Sequence, residues 1–420
     1  MNNFTTNTYE MKREIVTFSE KISKELNKPT SKFVMDMQYG LAKSGSCLIS
    51  EISRSLDENT NLSYTIERLC DNLANLYDDE KGIIWNNYLN EVKKHIRDKD
   101  NIVLFDDSDI NKEYSKKLED LDKVMDASST DKKIVNGYHV CEATVLTKHE
   151  NQPISIYSQI YSCKSDNFES KNTYTLESIK AAEKVCGKDF TGVFDRGYDD
   201  NKIFTYMTYN NHKFVVRLDD GRTLIFKGKR KSVEEVSKTR KGKILYKALF
   251  DDNEAYELSI SYTKAILPCN KKEYTLVIVY GLSEEHPMKL LTNIKIDNKE
   301  DVIKVVRLYL SRWRIEEHFR GKKQEYDFEN MRVRTLKSMN NLNMLLTIHL
   351  GHIAILSDKI NKNLLCIKII YASKSLKQKS IVWLSQIARG IKNILKYAHT
   401  GIREWQEIEK SEFFQLELRL

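Results

Sequence analysis

The stretch Tyr309-Leu-Ser-Arg-Trp-Arg-Ile-Glu-Glu-His-Phe-Arg-Gly-Lys-Lys323 places charged side chains at helical spacing, and the interpretation of the chain begins there. On an α-helix that turns about 100° per residue, Tyr309, Arg312, Glu316 and Lys323 share an arc of about 60°. A carboxylate flanked by cations can hold a metal ion while the cations hold phosphates. The same spacing is typical of a surface helix with i,i+4 ion pairs, so these residues alone leave both interpretations open.

Two short apolar runs upstream end in acidic residues. Asp106 and Asp107 follow Asn101-Ile-Val-Leu-Phe105, and Asp195 follows Thr191-Gly-Val-Phe194. Phosphodiester cleavage needs an activated attacking oxygen and a stabilised leaving oxygen, which two Mg²⁺ ions about 3.5–4 Å apart can provide. Such hard cations require carboxylate oxygens. Two acids at neighbouring strand ends and one from a helix would form a pocket for such ions, although each aspartate taken singly is also compatible with a turn or cap residue.

These patterns together resemble a known protein family. The spacing Y-x2-R-x3-E-x6-K, formed here by the four residues named first, resembles the signature of bacterial insertion-sequence transposases with a DDE triad. The segment Val193-Phe-Asp-Arg-Gly-Tyr198 resembles the family's second-aspartate motif, and 101–108 resembles the first. The resemblance covers about residues 101–345.

The resemblance implies the catalytic residues and the cofactor. Asp106, Asp195 and Glu316 would form the catalytic triad and would also be the metal ligands. The cofactor would be Mg²⁺, as a pair of ions that Mn²⁺ can replace. The family pattern usually places a small polar pair after the first catalytic acid, which favours Asp106, and Asp107 stays open as the alternative.

The resemblance further implies DNA-binding residues around the triad. Arg312 and Lys323 share the face of Glu316 and would bind phosphates, while Tyr309 would position the glutamate or the DNA. Four more candidates have ordinary structural alternatives, as core or solvated residues: Arg196, Trp313, Arg332 and Arg334. Trp313 in particular could stack on a displaced base, although a tryptophan on an amphipathic helix more often belongs to the core.

The hydrophobic period divides the chain into regions. Residues 1–98 have helical period and are predicted to form a helical, DNA-binding region. Part of it could be a helix-turn-helix, and a plain helical bundle stays open as the alternative. Strands alternate with helices over 99–218, which indicates an α/β domain with a mixed sheet. A β-rich block at 219–298 interrupts this pattern, helices return at 299–345, and 346–420 forms a helical C-terminal region. The resemblance implies a ribonuclease-H-like catalytic domain for the two α/β parts, with the β-rich block as an insertion.

Charge and cysteine content limit the partners and the compartment. The net charge is +8, and residues 301–420 hold 22 Lys/Arg against 12 Asp/Glu, which favours a polyanionic partner or simply a solvated basic face. Apolar stretches are far shorter than the ~20 residues of a membrane span. The seven cysteines form no CxxC pair, which argues against a disulfide framework and a zinc site. These features lead us to expect a cytoplasmic protein without a membrane partner, and the resemblance implies a bacterial, nucleoid-associated one.

The function predicted from these features is cut-and-paste DNA transposition. The partners would be double-stranded DNA, at the transposon ends and the target, and a second copy of the chain, because synapsis of two ends implies a homodimer. One alternative is a ribonuclease-H-like endonuclease without strand transfer. The other is a non-catalytic DNA-binding regulator derived from a transposase, against which the three intact acids argue.

Overall fold

A mixed sheet of twelve strands forms the centre of the fold. The computed structural model describes residues 2–126, 131, 133–249, 255–282, 286–360, 363–374 and 383–417. Helices precede the sheet, cover it and follow it along the chain. The predicted mixed α/β fold with helical N- and C-terminal regions is therefore confirmed.

The helices before the sheet begin and end at local sequence signals. They are α1 (Asn2–Ile22), α2 (Lys28–Ser44), α3 (Ile49–Ser55), α4 (Leu62–Asn75) and α5 (Asp78–Lys93). At the start of α2 the Asn27 side chain accepts a hydrogen bond from the Thr30 N–H at 2.9 Å, as N-cap residues do. Gly45 ends the same helix with φ 61°, a left-handed conformation that glycine adopts at low cost.

The sheet combines a parallel centre with antiparallel flanks. Its first strands are β1 (Asn101–Asn111), β2 (Asp122–Met125), β3 (Ile134–Leu146), β4 (Pro153–Tyr161), β5 (Phe190–Phe194) and β6 (Lys213–Arg217). Between them lie α6 (Lys171–Cys186), a 3-10 turn (Arg196–Tyr198) and α7 (Asn201–Tyr209). β1, β5 and β6 pair in parallel, so the ends of neighbouring strands meet at one edge, as in other α/β folds.

The predicted β-rich block continues this sheet. Its elements are β7 (Thr223–Phe226), β8 (Lys229–Ser232), α8 (Val233–Lys238), β9 (Ile244–Leu249), β10 (Ala255–Ile266), β11 (Glu273–Tyr280) and β12 (Met288–Thr292). The strand order is β2-β3-β1-β5-β6-β12-β11-β10-β7-β8, with β4 on β3 and β9 on β10. Because β12 pairs with β6, the inserted strands cover what would otherwise be an open sheet edge.

The C-terminal helices pack with the N-terminal ones. They are α9 (Lys299–Leu310), α10 (Trp313–Tyr326), α11 (Leu336–Ser357), α12 (Leu364–Ala372), α13 (Leu384–Leu395) and α14 (Ile402–Glu417). α11 is buried along almost its whole length and lies against β4, α2, α4, α5 and α13. Among the helices that the structure describes, each is too short or too polar to cross a bilayer.

The signature stretch is two helices, where one continuous helix was expected. The Arg312 N–H donates to the Tyr309 carbonyl at 3.0 Å and the Ile315 N–H donates to the Arg312 carbonyl at 3.0 Å, so the chain turns more tightly than an α-helix. The Ser311 hydroxyl donates to the Leu308 carbonyl at 2.7 Å, a local bond that competes with helix continuation. The single-helix prediction was wrong at residues 311–312.

Candidate active site

Two parallel strands bring the predicted aspartates to the same edge of the sheet. Phe105 of β1 pairs with Phe194 of β5 at the last parallel register position, and their rings stack with centroids 4.4 Å apart. Asp106 directly follows Phe105, and Asp195 directly follows Phe194. Both carboxylates therefore lie where the parallel pairing stops.

Strand alternation sends Asp106 and Asp107 to opposite faces of the sheet. Asp106 contacts Arg312, whose Nη1 donates to Oδ2 at 2.9 Å. Asp107 accepts a hydrogen bond from the Tyr198 hydroxyl at 2.8 Å and pairs with the Lys171 ammonium at 2.7 Å. Because the signature residues lie on the Asp106 side, the geometry favours Asp106 over Asp107 as the first acid of the candidate triad.

The tight turn between α9 and α10 places the signature residues around these carboxylates. Tyr309, at the end of α9, donates a hydrogen bond from its hydroxyl group to Asp195 Oδ1 at 3.1 Å. Arg312, in the turn, bonds to Asp106 and also to Glu316, one turn into α10. The Arg312 and Asp106 side chains are 14% and 16% exposed, whereas that of Glu316 is 52% exposed. One guanidinium thus joins the strand acid to the helix acid.

The clustered charges shift the pKa values of the site. Burial raises the pKa of Asp106 to about 7, with Arg312 opposing the shift and the neighbouring carboxylates of Asp195, Asp107 and Glu316 adding to it. Burial lowers the pKa of Arg312, but the surrounding carboxylates hold it above its ordinary value. A group of carboxylates that repel one another and share a single cation is chemically suited to a hard divalent metal ion.

Asp106 and Glu316 open onto a cleft of about 320 Å³, whose lining does not include Asp195. Its lining residues are Asp106, Asp107, Ser108, Glu316, Phe319, Arg320, Lys323 and Gln324. Lys323 lies 3.1 Å from Glu329 and is 31% exposed, and Arg320 is also exposed. The cleft therefore has acids at its base and cations at its rim.

The three candidate acids do not form one close group of ligand atoms in the structure. Within the described ranges, one group of three His, Cys, Asp or Glu residues has its ligand atoms all within 4.8 Å of one another, and it consists of Asp122, His139 and Cys163. Asp106, Asp195 and Glu316 do not form such a group, so at least one pair of their carboxylates is farther apart than 4.8 Å. Arg312 occupies the position between two of them.

The weaker DNA-binding candidates lie outside this cluster. Arg196 is exposed beside Asp195, and Arg332 and Arg334 are exposed on an extended segment. Trp313 is half-buried, with the guanidinium carbon of Arg314 5.3 Å from its ring centroid. The structure thus brings together the triad, Tyr309, Arg312 and Lys323, and leaves the remaining candidates on the surrounding surface.

A buried ionic cluster next to the site was missed by the sequence analysis. Glu142 lies opposite Asp106 in the β1–β3 register. Its carboxylate bonds to His318 Nε2 at 2.7 Å and to the Lys322 ammonium at 2.7 Å. His318 and Lys322 are four residues apart on α10, which indicates a shared face, but no sequence pattern identified the strand acid as their partner.

A mixed sheet with aspartates at the ends of adjacent parallel strands, beside a helix that carries a glutamate, is the arrangement expected of a ribonuclease-H-like protein of the DDE class. The family model described as the transposase DDE domain matches residues 97–350 of this chain. The chain belongs to the transposase DDE-domain family. Comparison with curated protein sequences finds no match.

Two solved structures resemble the chain at low identity. One is the cryo-EM structure of the piggyBac transposase synaptic complex with hairpin DNA, with 11% identity and a TM-score of 0.44, covering 95% of this chain and 81% of that chain. The other is the crystal structure of the NurA nuclease from Sulfolobus solfataricus, with 11% identity and a TM-score of 0.27, covering 70% of this chain and 98% of that chain. Both TM-scores are too low to establish a shared fold.

Proposed function

We propose that this chain cuts DNA at the ends of a mobile element and joins those ends to target DNA, with divalent metal ions as cofactor. Membership of the DDE-domain family supports the reaction class. The observation that carries the proposal is the link from Asp106 through Arg312 to Glu316, beside an Asp195 that is bonded to Tyr309. Asp106 and Glu316 line the same cleft, and the bond from Tyr309 holds Asp195 beside it, which supports a shared metal site.

In this proposal Asp106, Asp195 and Glu316 hold two Mg²⁺ ions, which Mn²⁺ can replace. Bound cations of this kind activate the attacking oxygen and stabilise the leaving oxygen of a phosphodiester. Asp106 must lose its proton to act as a ligand, and a pKa of about 7 makes that loss dependent on pH near neutrality. Tyr309 fixes the orientation of Asp195 through its hydroxyl.

The cations around the cleft suit a phosphate backbone. Lys323 and Arg320 line the rim, and Arg312 is placed to meet a phosphate when the acids bind metal instead of its guanidinium. Trp313, Arg196, Arg332 and Arg334 would extend this surface along double-stranded DNA. We further propose that the helices of 1–98 contribute to DNA binding, and that the protein acts as a homodimer on DNA in the bacterial cytoplasm.

Two aspartates that flank the same strand give a matched test of the proposal. Asp195 directly follows β5, and Asp189 directly precedes it. Asp195→Asn should lower Mg²⁺-dependent cleavage of DNA carrying the element's own ends by more than about 100-fold, because loss of an outer-shell partner alone costs about 10–100-fold. Asp189→Asn, which affects a surface pair with Lys213, should retain cleavage.

The products of that assay separate the proposed activity from its alternatives. Transposition predicts nicked or excised ends followed by joined products when target DNA is added. Cutting without joined products would favour a ribonuclease-H-like endonuclease, and binding without cutting would favour a DNA-binding regulator. Undiminished cleavage by Asp195→Asn would refute the assignment of the triad.

A further inference from the structure

Three strands bring a mixed set of metal-ligating side chains together on the sheet. Asp122 begins β2, His139 lies in β3, and Cys163 follows the end of β4. One carboxylate oxygen, one imidazole nitrogen and one thiol sulfur lie within 4.8 Å of one another. Asp122 is buried, His139 is half-buried and Cys163 is exposed, so the cluster is held by the sheet and accessible from one side.

Sheet register explains why residues so far apart in the sequence meet. β1 pairs with β3 along residues 137–145, so β2 and β4 both occupy the other edge of β3. Asp122 pairs with Gly137, and Tyr161 pairs with His139 two positions further along. β4 therefore ends where β2 begins. The Cys163 N–H donates to Asp122 Oδ2 at 2.8 Å across this junction.

A fourth residue orients the imidazole. Asp109 lies directly opposite His139 in the β1–β3 register, and its Oδ1 is 2.8 Å from His139 Nδ1. A carboxylate at Nδ1 accepts a hydrogen bond from the Nδ1–H, so the lone pair of the imidazole is on Nε2 and is free to bind a metal ion. Nε2 lies 4.0 Å from Asp122 Oδ2. Two acceptor atoms at that separation can share a cation between them.

The cluster is separate from the DDE cleft. Along β1, side chains alternate between the faces of the sheet, so Asp109 lies on the face opposite to that of Asp106. The lining of the cleft includes none of Asp109, Asp122, His139 and Cys163. The donor set differs as well. The cleft offers carboxylates for hard cations, whereas thiolate and imidazole ligands select zinc and similar transition metals.

We propose that Asp122, His139 and Cys163 bind one transition-metal ion of the zinc class, and that Asp109 positions His139 for it. Three protein ligands leave a fourth position of a tetrahedral ion for water or another ligand. Binding converts the Cys163 thiol to a thiolate, and its proton passes to the buffer. The ion would join the junction of β2 and β4 to β3.

Cobalt(II) titration of the full chain tests this site, because a thiolate bound to cobalt gives a sulfur-to-metal charge-transfer band that carboxylate sites lack. We expect the band to saturate at about one equivalent per chain, consistent with one site of three protein ligands. Cys163→Ser and His139→Ala should abolish it. Asp109→Asn should weaken cobalt affinity by about 10–100-fold, and zinc should displace cobalt and remove the band.

Two control variants make the result specific. Cys269 is another exposed cysteine, in the turn between β10 and β11, so Cys269→Ser should keep the band. Asp195→Asn should also keep it, which separates this proposal from that for the DDE cleft. Far-ultraviolet circular dichroism checks that each variant folds. No band in the folded wild-type protein, or an unchanged band in Cys163→Ser, would overturn the site.

Discussion

Replacing Lys322 by methionine should destabilise the fold strongly, because it removes one partner of a completely buried ion pair. The Lys322 and Glu142 side chains are both 0% exposed and 2.7 Å apart. The ammonium also contacts Asn343 Oδ1 at 3.2 Å, while His318 bonds to the other carboxylate oxygen at 2.7 Å. Methionine keeps most of the side-chain volume but leaves the carboxylate without its ammonium.

Burial of the ion pair determines how much unfolding free energy the substitution should cost. Removing one partner of a buried pair costs about 3–5 kcal/mol. His318 still bonds to Glu142, so we expect about 3 kcal/mol for Lys322→Met, the lower end of that range. Lys323, the next residue, pairs with Glu329 at 3.1 Å with side chains 31% and 33% exposed. Lys323→Met should therefore cost only about 0–1 kcal/mol.

Urea unfolding of the full chain at pH 7, followed by circular dichroism, measures both losses. A double variant, Glu142→Leu with Lys322→Met, should recover much of the stability, because apolar replacement of a buried ion pair is often neutral or stabilising. Equal small losses for Lys322→Met and Lys323→Met would show that burial does not control the cost. A double variant less stable than Lys322→Met alone would also refute the reasoning.

Three further predictions concern charged groups. The folded pKa of Asp106 is raised from 3.8 to about 7, so wild-type stability relative to Asp106→Asn should fall as pH rises through that interval, in urea titrations without divalent cations. Burial raises the pKa of Glu142, but Lys322 and other partners lower it to about 2. The contribution of Glu142 to the free energy of unfolding should therefore be complete above pH 4.5 and be lost as pH falls towards 2. Urea titrations of the wild type against the double variant measure it. Tyr309→Phe removes a hydrogen bond to Asp195 and should cost about 1.5–3 kcal/mol of unfolding free energy; no change would show that the bond does not form.

Local patterns along the sequence predicted most of the central sheet and part of the candidate site. Apolar runs ending in acids marked β1 and β5, because buried parallel strands are nearly continuous in hydrophobic residues. The β-rich character of residues 219–298 was also evident. Within that block, β8 cannot be recognised as a strand, because Lys229-Arg-Lys-Ser232 contains no apolar residue and lacks the alternation that indicates a strand.

Features that depend on register could not be predicted from spacing. The pairings of Asp109 with His139 and of Asp106 with Glu142 follow from how β1 lies against β3, and a shift of one residue would send each side chain to the other face. The absence of CxxC pairs argued against a zinc site, yet a cysteine, a histidine and an aspartate from separate strands meet at one junction. Hydrophobic period alone did not reveal the turn at Ser311.

The two faces of α10 make different contacts, and together these contacts determine the distance between Glu316 and Asp106. Its outer face presents Glu316 to the cleft, and its inner face bonds to Glu142 on β3. Glu142 lies opposite Asp106 in the sheet. The pairing of β1 with β3 therefore positions both Asp106 and the contact that holds α10, the helix that carries Glu316. Asp195 is bonded to Tyr309 at the end of α9, one tight turn away. Positions set by strands and helices vary less than positions set by loops, so any rearrangement on metal binding should fall on the Arg312 side chain, whose guanidinium lies between the acids.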